Sequence, residues 1–226
     1  GEGAAADQLS YSKGLCLGAD GALYVADTGN HRVQRFEPGV REGQTVAGGR
    51  GEGAAADQLS YPRGLRLGTD GALYVADTSN HRVQRFAPGV RGGQTVAAAD
   101  GAVAWNGETT GYINGTPAVW GATVAFAGCD GRLRVLDAYV GTLVRALDLE
   151  DYVGASMAVA GDRGFVGTFG NQVLGIDLAA GAVAWRFRDP DRAFPFYASP
   201  ALAESLLIVA GRDKTVRALG VDVGVP

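Results

Sequence analysis

The sequence predicts an all-β fold built from short four-stranded antiparallel sheets repeated along the chain. Three observations predict it. The chain holds 36 glycines in 226 residues, its first hundred residues are one unit written twice, and no window of a dozen residues shows a helical period. Glycine at about double its usual share of about 7%, set between short apolar runs, means many tight turns and so many short strands. The glycines follow no G-X-Y period, which excludes a collagen triple helix.

Residues 1–50 and 51–100 align without a gap and are identical at 40 of 50 positions. A period of this size marks a solenoid, a propeller or an array. Within the unit, residues 14–17 read as a short strand ended by the turn Gly18-Ala19-Asp20-Gly21. Residues 23–27 form a second strand with alternating faces. Asp27-Thr28-Gly29-Asn30 is a turn, because Asp bonds the backbone ahead of it and Gly or Asn accept positive φ. Residues 32–36 give a third strand, stopped by Pro38-Gly39, and residues 44–47 a short fourth. Four meandering strands are the content of a propeller blade.

The stretches GLCLGADGALYVADTGNHRVQRF (14–36) and GLRLGTDGALYVADTSNHRVQRF (64–86) closely resemble the NHL repeat, including its signature at Asn30-His31-Arg32 and Asn80-His81-Arg82. Beyond residue 100 the pattern changes. Residues 121–141, 161–181 and 204–224 align with one another, each after a small-residue lead at 115–119, 155–159 and 198–202. Each lead reads as an inner strand, with Ala118, Ala158 and Ala201 letting the strands crowd an axis. Residues 182–185 give a fourth strand ending on Trp185, and residues 100–105 repeat that ending at Trp105. This part resembles the PQQ-like (quinoprotein-type) propeller repeat, in which a tryptophan docks one blade onto the next. Arg145 stands where Trp185 predicts tryptophan, and Gly220 where Asp137 and Asp177 predict aspartate.

The expected fold is therefore an all-β, five-bladed β-propeller of four-stranded antiparallel blades. Residues 1–100 supply two NHL-like blades and residues 101–226 three PQQ-like blades, together one propeller domain. Two segments, 94–97 and 102–105, compete for one outer strand at the junction, and the last blade has three readable strands. An open edge would invite pairing with another chain. In the second strand of the later blades, Ala125, Phe165 and Ile208 share one face, and Phe126, Val166 and Val209 the other.

The formal net charge is −4, so composition shows no basic stripe for nucleic acid. No apolar run reaches the ~18 residues of a membrane span, and no signal peptide opens the chain. The chain begins at Gly1 rather than methionine, which suggests a processed or trimmed form. A natural origin would suit an extracellular or periplasmic location. Cys16 and Cys129 read as free buried thiols, with a disulfide left open.

Candidate sites read as structure. His31 and His81 occupy equivalent turns, and two histidines without a third ligand do not make a zinc site. Asp20, Asp27, Asp70, Asp77, Asp130, Asp137 and Asp177 could suggest calcium or paired acid–base carboxylates, but most recur in step with turns, where they bond backbone. Trp105 and Trp185 suit blade packing better than stacking on a cofactor. Ser10, Ser60, Ser156 and Ser199 lack a nucleophile context, and no P-loop is present. The resemblance to NHL propellers implies an RNA possibility for Arg32, Arg35, Arg41, Arg82, Arg85 and Arg91. With 10 Lys+Arg against 11 Asp+Glu in residues 1–100, a solvated face is expected instead. The quinoprotein resemblance implies a quinone, an aromatic floor, calcium and a vicinal disulfide, but the chain has no vicinal cysteines. No catalytic, cofactor-binding or metal residues are assigned.

An abrupt change of repeat family near residue 100 predicts a chimeric or engineered propeller scaffold without catalytic function. The alternatives are a natural protein- or peptide-binding propeller and a remnant quinoprotein enzyme.

Overall fold

A computed structural model describes residues 3–91, 94–97, 103–191, 193–222 and 224, with backbone alone for 88–91 and 94–97. Apart from two single-turn 3-10 segments, Thr28–Asn30 and Thr78–Asn80, the described elements are all strands. They form five antiparallel sheets, the blades of a propeller, and one small hairpin. Blade 1 is β1 (Leu15–Leu17), β2 (Leu23–Asp27), β3 (Arg32–Phe36) and β4 (Gln44–Gly48). Blade 2 begins with β5 (Pro62–Leu67), β6 (Leu73–Asp77) and β7 (Arg82–Phe86).

At the junction the two candidate strands part company. β8 (Pro88–Arg91) and β9 (Gln94–Ala97) pair only with each other, and β10 (Val103–Glu108) takes the outer place beside β7. Ala102 lies outside the described residues. The choice follows from what blade 3 offers. Trp105 in β10 packs against blade 3 and its indole N–H donates to Ala138 O at 3.1 Å. Gly107 lies so close to Leu136 and Phe126 that a Cβ there would come within 2.9–3.0 Å of them. An aromatic ring buries on the order of 150–250 Å², about 4–6 kcal/mol at about 25 cal/mol per Å². The largest apolar residue in the sequence of Gln94–Ala97 is Val96.

Blade 3 is β11 (Ala118–Trp120), β12 (Thr123–Ala127), β13 (Arg132–Asp137) and β14 (Leu143–Asp148). Blade 4 is β15 (Ala158–Ala160), β16 (Arg163–Gly167), β17 (Val173–Asp177) and β18 (Ala182–Phe187). Blade 5 has three described strands, β19 (Ala201–Ala203), β20 (Leu206–Ala210) and β21 (Val216–Gly220). In all four four-stranded blades the third and fourth strands are joined through a β-bulge. A bulge adds twist and re-aims the outer strand toward the next blade.

The inner strands of the last three blades start three residues later than their small-residue leads suggest. Axis crowding also falls elsewhere than at Ala118, Ala158 and Ala201, the last of which is exposed. The closest approaches come at or just before the start of the inner strands. A Cβ on Gly64 would meet Thr116 Cα at 2.6 Å, and one on Gly115 would meet Ala155 O at 2.4 Å. Hydroxyls stitch the same zone. Thr28 and Thr78 donate to Pro62 O and Ile113 O at 2.6 Å, and Ser156 and Ser199 accept from Thr116 N–H and Ser156 N–H.

The core is the set of wedges between blades. Four described apolar clusters join blade 1 to 2, 2 to 3, 3 to 4 and 4 to 5. Phe126 and Val166 face the preceding blade while Ala125 and Phe165 face the following one, so both faces of each inner blade are buried. Docking tryptophans recur: Trp185 donates to Val221 O at 3.0 Å as Trp105 does to Ala138 O. Between blades 3 and 4 the place belongs to Arg145, whose stem lies on Gly181 beside a cavity of about 10 Å³. Restoring the pattern with Arg145→Trp is expected to stabilise the fold by ~1 kcal/mol, through one indole hydrogen bond and added apolar contact. Urea denaturation measures this, and a lower midpoint would show that the wedge cannot take the ring.

Candidate binding face

The turns between second and third strands, together with the loops entering each blade, make one end of the propeller. In blades 1 and 2 an aspartate at the end of the second strand organises this end. Asp77 is fully buried. Its carboxylate accepts from Ser60 N–H at 2.7 Å, Asn80 Nδ2 at 2.8 Å, Arg82 Nε at 2.7 Å and Gln84 Nε2 at 3.0 Å. Arg82 in turn donates to the carbonyls of Ala54, Ala55 and Gln58. Asp27, Asn30 and Arg32 repeat this in blade 1. Asp, Asn and Arg of the repeat therefore clamp the entering loop to the blade.

His31 and His81 follow at φ of 53° and 54°, the left-handed position that ends each 3-10 turn. Each leans on a tyrosine at the entry to the next blade. His31 meets Tyr61 edge-on at 4.6 Å and accepts its N–H at Nδ1, and His81 stacks on Tyr112 at 4.8 Å. Phe169 packs likewise on Tyr197, over which Arg212 lies at 5.2 Å. Exposed tyrosines thus stand at the entry to every blade, at Tyr11, Tyr61, Tyr112, Tyr152 and Tyr197. Sequence reasoning missed this row, although a tyrosine precedes every inner strand and that was the available signal.

The inner strands of all five blades surround a central channel of about 440 Å³. Its lining is mostly small and apolar, with Arg66 as the charged side chain and no carboxylate among the described residues. Those residues do not fit a quinone with calcium, which would need acidic and amide ligands there. A larger groove of about 620 Å³ opens at the other end between blades 1 and 2, between Leu17 and Leu67. Its acidic groups are committed: Asp20 pairs with Arg35 at 2.6 Å and Asp70 with Arg85 at 2.7 Å.

The arginines correct an expectation. Arg35, Arg82 and Arg85 are buried and ion-paired, not a solvated face, because each is the partner a buried acid or tyrosine needs. Arg35 and Arg85 also donate to Tyr24 and Tyr74 hydroxyls. Arg41 is exposed, and the Arg91 side chain lies outside the described residues. The turn aspartates bond backbone as expected: Asp130, Asp137 and Asp177 accept N–H groups of Arg132, Tyr139 and Ala180. Ser60 Oγ donates to Glu52, and Ser10 N–H donates to Asp27. Among the described residues no three His, Cys, Asp or Glu side chains cluster, and no helix is long and apolar enough to cross a membrane.

Cys16 and Cys129 are free and half-buried. Burial pushes the Cys16 thiol up to about 11 and raises that of Cys129, so neither is a ready thiolate nucleophile. Several carboxyls go the other way. Burial opposes ionisation of Asp20 and Asp130 most strongly of any single cause, but hydrogen bonds from Arg35 and Arg134, with backbone N–H groups and the arginine charge, together outweigh it. Hydrogen bonding from Arg217 lowers Asp213. Acids depressed on folding stabilise the protein above their unfolded value and lose that contribution as pH falls through the folded one. Thermal melts are therefore expected to drop below about pH 4. A loss centred near pH 6 would contradict these pairs.

Comparison with known proteins bears on the same segments. The NHL repeat family matches residues 11–36 and 59–86. A PQQ-type repeat family described as outer membrane protein assembly factor BamB matches residues 130–225. The chain is a propeller whose segments match two different repeat families. No curated protein sequence matches this propeller. Among solved structures it is similar to the computationally designed Ika8 protein, with a TM-score of 0.69 at 14% identity. It is also similar to BamB from Moraxella catarrhalis, with a TM-score of 0.65 at 16% identity. Each match covers 95% of the propeller but 60% of the other chain, so the likeness is one of fold and spans part of each relative.

Proposed function

We propose that this chain is a non-catalytic propeller scaffold made by joining an NHL-type segment, residues 1–100, to a PQQ-type segment, residues 101–226. The duplicated outer strand carries this reading. The NHL-type unit brings its own fourth strand in Gln94–Ala97, yet β10 fills the place. Two fragments joined at a blade boundary, each bringing its copy of the same strand, leave one copy over. Support for the non-catalytic part comes from the neighbourhood of the candidates: Asp20, Asp27, Asp70 and Asp77 hold arginines, and Ser60, Ser156 and Ser199 hold structural hydrogen bonds.

Deleting residues 90–99 tests the reading. It leaves a six-residue connection from β7 to β10, against seven residues between β3 and β4. The melting temperature is expected to stay within ~2 °C, at most ~1 kcal/mol for a domain of this size. Loss of folding would show that the hairpin is integral and would remove the join. A genomic reading frame encoding the whole chain would remove engineering as the origin.

The row of exposed tyrosines favours a second reading, a natural binding face for a protein or peptide. Tyrosine offers broad apolar contact with a polar tip at low entropic cost. A peptide selected on the propeller should lose binding in Tyr112→Ala and Tyr152→Ala, and retention in both would exclude this face.

A further inference from the structure

We infer that this propeller associates head to tail with a second copy of itself, through two sheet faces that its own blades leave uncovered. Closing a ring of five blades takes five inter-blade wedges, and the described residues form four. In each wedge one blade's trailing face meets the next blade's leading face. What remains is the leading face of blade 1 and the trailing face of blade 5.

The repeat supplies an internal control for the first. On blade 2, Leu65 of the leading face is 1% exposed beneath blade 1, and Leu67 is half-buried. Blade 1 carries the matching leucines, yet Leu15 and Leu17 are each 69% exposed. The leucines hold the same places in the repeat, and the covering neighbour is the difference. The trailing face behaves likewise. Phe165 and Val173 of blade 4 are buried beneath blade 5, at 1% and 0%. The matching positions in blade 5 are Ile208 and Val216, and Val216 is 71% exposed, with Leu206 at the other end of the same face at 43%.

Single exposed leucines are ordinary, but contiguous apolar faces at both ends of an arc mark an interface. The occupant follows from continuity with the wedges already formed. A leading face is covered by a trailing face four times within the chain, and a second copy offers that trailing face on blade 5. The contact is heterologous, so it closes a ring of copies or propagates. The edge of β21, without a described neighbour, lies at the same junction and adds unpaired backbone groups to it. None of this depends on how the chain arose.

Light scattering of the full chain after size exclusion is expected to give at least twice the chain mass at about 100 μM, falling with dilution. Leu17→Glu and Val216→Glu each block one end, and each alone should be monomeric with an unchanged circular dichroism spectrum. Mixed one to one, they should form a dimer, because each retains the face the other has lost. Leu15→Gln replaces Leu17→Glu if the latter fails to fold. A monomeric wild type at that concentration, self-association of either variant like wild type, or a mixture that stays monomeric would overturn the inference.

Discussion

Replacing Asp77 with alanine is expected to cost about 3–5 kcal/mol, because it strands the Arg82 guanidinium in a buried site without its counter-charge. The carboxylate is fully buried and accepts four hydrogen bonds from the entering loop, the turn and the third strand. Alanine leaves Arg82 with carbonyl partners only, and frees Ser60 N–H, Asn80 and Gln84 together. Urea denaturation followed by tryptophan fluorescence reports this, since Trp105 sits in the wedge between blades 2 and 3. Asp27→Ala should cost less, because Gln34 bonds Thr45 and is independent of Asp27. Added calcium should leave the wild-type melting temperature unchanged. A rise would bring back the metal reading of these aspartates, and a cost under ~1 kcal/mol for Asp77→Ala would mean the clamp carries little.

Phe126→Ala is expected to destabilise the propeller by about 3–5 kcal/mol, the usual cost of emptying a buried phenylalanine site. Phe126 is 2% exposed in the wedge between blades 2 and 3, where Gly107 and Trp105 close over it. The surroundings cannot readily collapse into the gap, because β10 is fixed by its ladder to β7 and by the indole bond to Ala138. The transition should shift to lower urea with an unchanged slope, since the surface exposed on unfolding is the same. A near-silent substitution would mean that this wedge is not a cooperative part of the core.

The strands were legible because their information is local. Alternation in residues 23–27 and 32–36 and the turn between them match β2 and β3 residue for residue. The docking role of Trp105 and Trp185 was legible too, since an aromatic at the end of an outer strand has the next blade as its neighbour. The arginines were misread. Arg35 and Arg85 look like surface residues in a near-neutral segment, and only the folded pairing of Asp20 and Asp70 opposite them explains their burial. The tyrosine row was overlooked because its members precede inner strands at unequal spacings.

The chain's residues by themselves determined two things: short strands in units of four, from period-two apolar patterning and turn chemistry, and two repeat families, from their motifs. Three things were decided only in three dimensions. These are which of two outer strands completes blade 2, where the axis is crowded, and which apolar faces stay open. Each depends on surfaces far apart in sequence. β10 prevails because blade 3 has a place for an indole ring, and Leu15 is exposed while Leu65 is buried because only the second has a blade in front of it. Burial is a property of neighbours, and a local pattern specifies a sticky face without specifying what will cover it.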